Sequence, residues 1–309
     1  MSKKVSVIGA AVVDVLAGIV DKEIFEKGSV PSKHIRMSCG GDALNESVVL
    51  SGLGINAELI SVLGEDDAGQ RVLECLRNNH VSTDKIAICD DLSTSINIVL
   101  VDENGERFFI TDAKSSLRKL SKDHILKHCE SMGDIVSFAS IFVSPLLGVP
   151  EMLEVFSEIK KTSDRVLVAD MTTAKKGERI GDIAPLFEYI DYIIPNAKEA
   201  EILTGESDPE RAADTFIQHG AKAVIIKCGK DGCIYKTKDE KGSASAYKTR
   251  AVDTTGAGDG FVAGFIYGLS KGCKLSDCCR YGNATASLMV EQYGTQGIIK
   301  SSEQVLERY

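Results

Sequence analysis

The sequence predicts an α/β protein: a mostly parallel sheet with helices around it, plus one small antiparallel sheet inserted into the larger unit. Three observations carry this. Short apolar, strand-like runs recur at residues 5–8, 57–62, 135–138, 166–169, 192–194 and 223–227. Helix-like stretches at 43–53, 69–78, 151–161 and 210–219 are interspersed with them, and that alternation marks βαβ units around a parallel sheet. Two segments, 14–20 and 85–111, carry strand-like runs that no helix separates.

Taken in order, Val5-Ser6-Val7-Ile8 reads as the first strand, and the apolar stretch at the start is too short for a signal peptide. Gly52-Leu53-Gly54-Ile55-Asn56-Ala57 formally fits a dinucleotide-binding fingerprint, but it follows a helix and precedes a strand, the reverse of what that fingerprint requires. It reads as a helix stop. Asp102-Glu103-Asn104-Gly105, between two strand-like runs, reads as a hairpin turn. The rhythm-breaking segments, about 12–38 and 85–112, are expected to form the small sheet, either as a lid that excludes water from a group-transfer site or as a subunit contact. After residue 249 two long helices are expected, at 259–269 and 275–291. Residues 1–309 are read as one domain with this addition.

Composition narrows the function. Of 309 residues, 36 are Lys or Arg and 45 are Asp or Glu, a net charge of -9. A general nucleic-acid binder needs the opposite balance. No apolar run approaches the ~18 residues that would span a bilayer, so a cytoplasmic protein is expected. Nine scattered cysteines without a C-x-x-C pair are read as reduced thiols rather than zinc ligands or a disulfide framework. No P-loop motif occurs.

The sharpest motif is Asp253-Thr254-Thr255-Gly256-Ala257-Gly258-Asp259, opening a helix. Glycines let successive amides point at one spot, and the helix start adds partial positive charge, giving an anion hole without Lys or Arg. Asp259 stands at its mouth. It either caps the helix or takes the proton from a hydroxyl attacking phosphorus. A second glycine turn, Gly40-Gly41-Asp42-Ala43-Leu44-Asn45, also enters a helix. Its carboxylate and amide groups, with Asp14 just beyond the first strand, suit the hydroxyls of a polyol.

With these residues in hand, the chain resembles the ribokinase-like (PfkB-type) carbohydrate kinases over nearly its full length. The Gly40-Gly41 turn with Asn45 is similar to that family's N-terminal signature and Asp253 to Asp259 to its C-terminal one. The resemblance implies a three-layer, Rossmann-like α/β/α domain with a β-sheet lid, and ATP-dependent phosphorylation of a sugar-type hydroxyl. Asp259 would be the base, and the backbone of Gly256, Ala257 and Gly258 would stabilise the transferring group. Asp14, Gly41, Asp42 and Asn45 would face the sugar. Pro195-Asn196-Ala197-Lys198-Glu199 resembles the family's N-x-x-E element, with Asn196 toward the ATP phosphates and Glu199 organising Mg2+ through water; a simple helix cap is the other reading. Lys227-Cys228-Gly229-Lys230-Asp231-Gly232 resembles the T-x-G-x-x-G turn along the nucleotide, with Lys227 where Thr is common, so Gly229 and Gly232 keep the backbone role. Asn283 matches a position near the adenine, and Asp253 and Thr255 match positions around a monovalent cation, implying K+ activation. Lid sheets pair between subunits in this family, implying a homodimer.

The acceptor is less legible. Relative to ribokinase, Val12 and Val143 replace polar sugar contacts, and Asp42 stands where phosphosugar kinases of the family carry Lys. That favours an unphosphorylated ketose, a sugar acid or a nucleoside over a phosphosugar, although Lys33, His34 and Arg36 lie nearby in sequence. Phe108, Phe109 and Phe142 are the residues able to form a slot for a nucleoside base. A non-catalytic sugar- or nucleotide-binding regulator and a dehydrogenase are the readings from other classes.

Overall fold

The computed structural model describes the chain except residues 1–2, 19, 21–22, 33, 103–106 and 163. Nine strands form the main sheet: β1 (Lys4–Ile8), β4 (Asn56–Gly64), β5 (Ile86–Cys89), β8 (Ile135–Ile141), β9 (Val166–Met171), β10 (Tyr192–Ile193), β11 (Ala223–Lys227), β12 (Cys233–Thr237) and β13 (Lys241–Ala244). Their order is β13-β12-β11-β10-β9-β8-β1-β4-β5. Every pair from β11 to β5 is parallel, while β12 and β13 add an antiparallel edge. Central strands such as Val5–Ile8 and Leu167–Ala169 are fully buried, because helices cover both faces of a parallel sheet and both must be apolar.

Two buried clusters make the layers explicit. One packs the helices Asp42–Gly52, Asp67–Asn78, Ala257–Ser270 and Leu275–Met289 on one face, through Leu44, Leu76, Phe265 and Cys278. The other packs Val149–Lys160, Ala197–Thr204 and Pro209–Gln218 on the opposite face, through Phe156, Leu203 and Phe216. The helices Ala257–Ser270 and Leu275–Met289 lie against each other with Gly264 facing Thr285 and Tyr281, where an added Cβ would sit 2.4 Å from Thr285 Oγ1.

The small sheet has four strands, β2 (Val12–Gly18), β3 (His34–Gly40), β6 (Ile96–Val101) and β7 (Arg107–Thr111), in the order β3-β2-β6-β7. It differs from expectation in three respects. Strand β5 belongs to the main sheet, because it completes a strand-helix-strand unit with β4 whose crossover returns to the same sheet in parallel. The pair β2–β6 is parallel, so the small sheet is mixed rather than antiparallel. And β3 runs on to Gly40, delivering the chain straight into the Gly40-Gly41 turn. The expected turn at 102–105 falls largely outside the described residues, although β6 and β7 flanking it pair antiparallel.

The nine cysteines are all free thiols. Among the described residues no helix is long and apolar enough to cross a membrane.

Candidate active site

Two glycine turns meet at the C-terminal edge of the parallel strands, where open α/β sheets bind ligands. Gly256 caps the Ala257–Ser270 helix in the left-handed region, φ 71°, and an added Cβ would lie 2.6 Å from Thr295 Cγ2. Both the conformation and the space demand glycine. Gly258 is different: an added Cβ would meet only Lys227 Nζ, at 3.5 Å. The helix's first amides therefore open onto a space that a lysine ammonium borders. Asp253 braces the turn. Its Oδ1 accepts from the amide and hydroxyl of Thr255 at 2.8 and 2.7 Å, and its Oδ2 from the Gly294 amide at 3.1 Å.

On the acceptor side Gly41, at φ 96°, brings its backbone so close to the β1–β2 connection that a Cβ would sit 2.6 Å from the Ala10 carbonyl oxygen. Asp42 Oδ1 accepts from the amides of Ala10 and Ala43 at 3.1 and 2.7 Å, so one oxygen of this carboxylate braces the turn. Asn45, 5 % exposed, donates from Nδ2 to Asp259 Oδ2 at 2.8 Å. Asp14 sits opposite Ser38 and Asn97 in the small sheet and accepts from Asn97 Nδ2 at 2.9 Å. The Oδ1 atoms of Asn45 and Asn97 are buried without a hydrogen-bond donor. Each belongs to an amide whose Nδ2 is bonded to a carboxylate, Asp259 for Asn45 and Asp14 for Asn97.

Beyond Gly258 a cleft of about 530 Å³ is lined by Asn196, Lys227, Gly229, Gly232, Phe261 and Asn283 among others. Asn196 and Glu199 cap the Ala197–Thr204 helix reciprocally: Asn196 Oδ1 accepts from the Glu199 amide at 2.9 Å, and Glu199 Oε2 from the Asn196 amide at 2.8 Å. The reciprocal cap is present, and Asn196 also stands on the cleft wall. Gly229 and Gly232 adopt φ 58° and 94°, and a Cβ at Gly232 would strike the Ala244 carbonyl. Asn283 stands on the same lining. Its Nδ2 donates to the carbonyls of Ala244 and Ser245 at 2.8 and 3.3 Å, so this amide group secures the wall of the cleft.

Charge is concentrated between the two turns. Lys227 ends β11, and its Nζ reaches across the two-residue β10 to Asp170 Oδ2 on β9, 2.5 Å away. Burial pushes the Asp259 carboxyl up to about 7, assisted by the charge of Asp42 and opposed by the Asn45 hydrogen bond. Burial likewise pushes Glu199 up to about 7, opposed by Lys227. Burial alone would lower the Lys227 ammonium, but Asp170 and Glu199 hold it above its ordinary range. Burial pushes the carboxyl of Glu46, next to Asn45 and 1 % exposed, well above its ordinary range, with the charges of Asp259, Asp170 and Asp42 acting in the same direction.

The structure thus gathers Asp14, Gly41, Asp42, Asn45 and Asp259 on one side of the anion hole and Asn196, Glu199, Lys227, Gly229 and Gly232 on the other. Asp253 joins the turn to the 294–295 loop, and Thr255 bonds to Asp253. Sequence reasoning missed Asp170, Asn97 and Glu46. A charged residue ending the apolar run Val166-Leu167-Val168-Ala169 and an Asn between two isoleucines were the available signals. Of the proposed aromatic slot, Phe108 shares a sheet face with Ile98 and Ile110, opposite to Asp14, and is exposed; the Phe109 side chain lies outside the described residues. Phe142, in the left-handed region at φ 74°, lines a small apolar cavity with Phe138, Val143 and Leu147. Lys33 lies outside the described residues, and Arg36 stacks over Tyr293 at 5.8 Å.

These features define a group-transfer enzyme of the ribokinase-like fold. An Arabidopsis thaliana ribokinase solved with ribose and ATP superposes on 99% of this chain and 98% of its own, with a TM-score of 0.85 at 23% identity. The profile of the pfkB family carbohydrate kinases matches residues 2–301, and the chain belongs to that family: it is an ATP-using carbohydrate kinase, a phosphotransferase with an alcohol acceptor. It is 32% identical over 248 residues to an uncharacterized sugar kinase of Archaeoglobus fulgidus, covering 80% of this chain and 96% of that one. It is 27% identical over 318 residues to a ribokinase of Staphylococcus aureus, covering 99% of each.

Proposed function

We propose that this kinase transfers the γ-phosphoryl group of ATP to a hydroxyl of a neutral, unphosphorylated sugar, with Asp259 as the base. The observation that carries this is the Asn45–Asp259 hydrogen bond, which pins a buried carboxylate between the anion hole and the unsatisfied amide oxygens of Asn45 and Asn97. The acceptor hydroxyl bonds to Asp259, the sugar's other hydroxyls satisfy those oxygens and Asp14, and the small sheet covers the site. As the oxygen attacks in line, its proton passes to Asp259, whose affinity near neutrality suits a base, while the amides at Gly256 to Gly258 receive the phosphoryl charge. An anionic acceptor would meet Asp14 and Asp42, which favours a neutral sugar over a sugar acid or phosphosugar.

The donor set for Mg2+ is hard and oxygen-based: Glu199 and Asp170 interact electrostatically beside the anion hole. Two carboxylates leave most of an octahedral Mg2+ shell to phosphates and water, as that ion generally prefers. Held there, Mg2+ would neutralise phosphate charge. For a monovalent cation, Asp253 and Thr255 are the proposed site, and equal rates in sodium, potassium and neither would remove it.

A homodimer through the small sheet is part of this reading. Rows Met37–Val15–Ile98–Ile110 and Ile35–Ala17–Leu100–Phe108 cover one face, with Ile35 69 % and Ile110 54 % exposed. Such a patch is an association surface.

The deciding experiment is an ADP-release screen over ketoses, aldoses, sugar acids, phosphosugars and nucleosides with magnesium and potassium. A neutral sugar is the expected hit. Asp259→Asn should lower its turnover by roughly 10²–10⁴-fold while ADP still binds; near-normal turnover of the variant would remove Asp259 as the base.

A further inference from the structure

We propose that the Lys227 ammonium is a catalytic group that stabilises the negative charge on the phosphoryl group during transfer, with Asp170 holding it in position. The inference rests on the function proposed above, in which the phosphoryl group lies at Gly258. Its warrant is placement. Nζ stands 2.5 Å from Asp170 Oδ2 and 3.5 Å from where a Gly258 Cβ would be, so it bridges a strand-end carboxylate and the open mouth of the helix. An ammonium has three protons, and Asp170 oxygen occupies one direction only.

The surroundings make that charge consequential. The Lys227 side chain is 13 % exposed and Asp170 8 %, so their fields are weakly screened. Three carboxylates, Asp170, Glu199 and Asp259, act on the ammonium. A phosphoryl group arriving among them would be repelled without a cation on the protein side, and among the described residues no other lysine or arginine lines the cleft at Gly258 except Lys230 and Lys248. Both are exposed, Lys230 on the Gly229–Gly232 turn and Lys248 between Tyr247 and Thr249.

The rival explanation is a structural tie of β9 to β11 across the short β10. A buried ion pair is weak evidence for stability, since well-packed apolar residues often do as well. The step balances without a proton from lysine. The bond from the acceptor oxygen to phosphorus forms, the bond from phosphorus to the ADP oxygen breaks, the acceptor proton goes to Asp259, and Lys227 keeps all three of its protons.

The test compares Lys227→Met, Lys227→Arg and Lys227→Thr with the unaltered chain. It measures kcat and KM for ATP with the sugar found in the screen, the slow hydrolysis of ATP by water, and ADP affinity by calorimetry. Lys227→Met should lower kcat for both reactions by roughly 10²–10³-fold, the span for removing one charge-stabilising donor. ADP affinity should stay within about threefold, and Lys227→Arg should recover at least about tenfold of the lost rate. Turnover of Lys227→Met within about threefold of the unaltered chain, or a loss confined to ADP affinity, overturns the proposal. If Lys227→Met fails to fold, the Thr variant carries the same comparison, and full turnover by a folded Thr variant overturns it equally. Absence of any sugar phosphorylation by the unaltered chain would instead refute the proposed acceptor, and the hydrolysis arm would still decide the role of Lys227.

Discussion

Asn45 Nδ2 donates a 2.8 Å hydrogen bond to Asp259 Oδ2, joining residues 214 positions apart. The bond couples the two glycine turns, since each residue stands in the first turns of the helix that its turn opens. It also favours the charged carboxylate against a burial that disfavours it.

The pH dependence of the reaction follows from that balance. Asp259, pushed up to about 7, must be ionised to accept a proton, so kcat/KM should rise with pH through about 7 and level off above it. Asn45→Ala removes the bond that lowers this value, and the rising limb should move to higher pH. A limb that stays in place, or moves down, would show that the bond does not tune Asp259.

Stability should respond in the opposite sense. The folded-state affinity of Asp259 is raised from the ordinary 3.8 to about 7, so the native state binds more protons than the unfolded chain between those values. Stability contributed by the protonated carboxyl is then present at low pH and lost as pH rises through about 7. Asp259→Asn cannot ionise. It should melt higher than the unaltered chain at pH 8, with the gap closing toward pH 4. A gap that does not vary with pH in thermal melts would contradict this.

The two glycines of the anion hole should behave differently. Gly256 is left-handed, and a Cβ there meets Thr295, so Gly256→Ala should lower the melting temperature and activity together. Gly258 has room on its own side. Gly258→Ala should fold normally and lose turnover, because its methyl group enters the space offered to the phosphoryl group. Kinetics beside thermal melts separate the cases; matching losses in both variants would overturn the assignment of Gly258.

The apolar face of the small sheet makes a prediction about assembly. Ile98→Lys with Ile110→Lys places charge in one cross-strand row. Light scattering should find a dimer for the unaltered chain and a monomer for the double variant. A monomer in both would remove the proposed subunit contact.

The glycine turns and the catalytic carboxylate are legible in the sequence because they are local: Gly41 and Gly256 answer backbone requirements, and Asp259 follows its turn by three residues. The main sheet is legible for the same reason, since burial on both faces writes continuous apolar runs. The limits of the small sheet are not. Strands β5 and β6 look alike as short apolar runs, and what separates them is which neighbour each can pair with.

The sequence by itself determined the βαβ framework, the anion hole and the residue types at its mouth. Only the tertiary structure decided that Lys227 faces Asp170, that Asn97 meets Asp14, and that the Asn283 amide turns to the Ala244 carbonyl. Those contacts are set by strand order and side-chain direction at strand ends, where residues far apart in the chain become neighbours through the pairing of the strands that carry them.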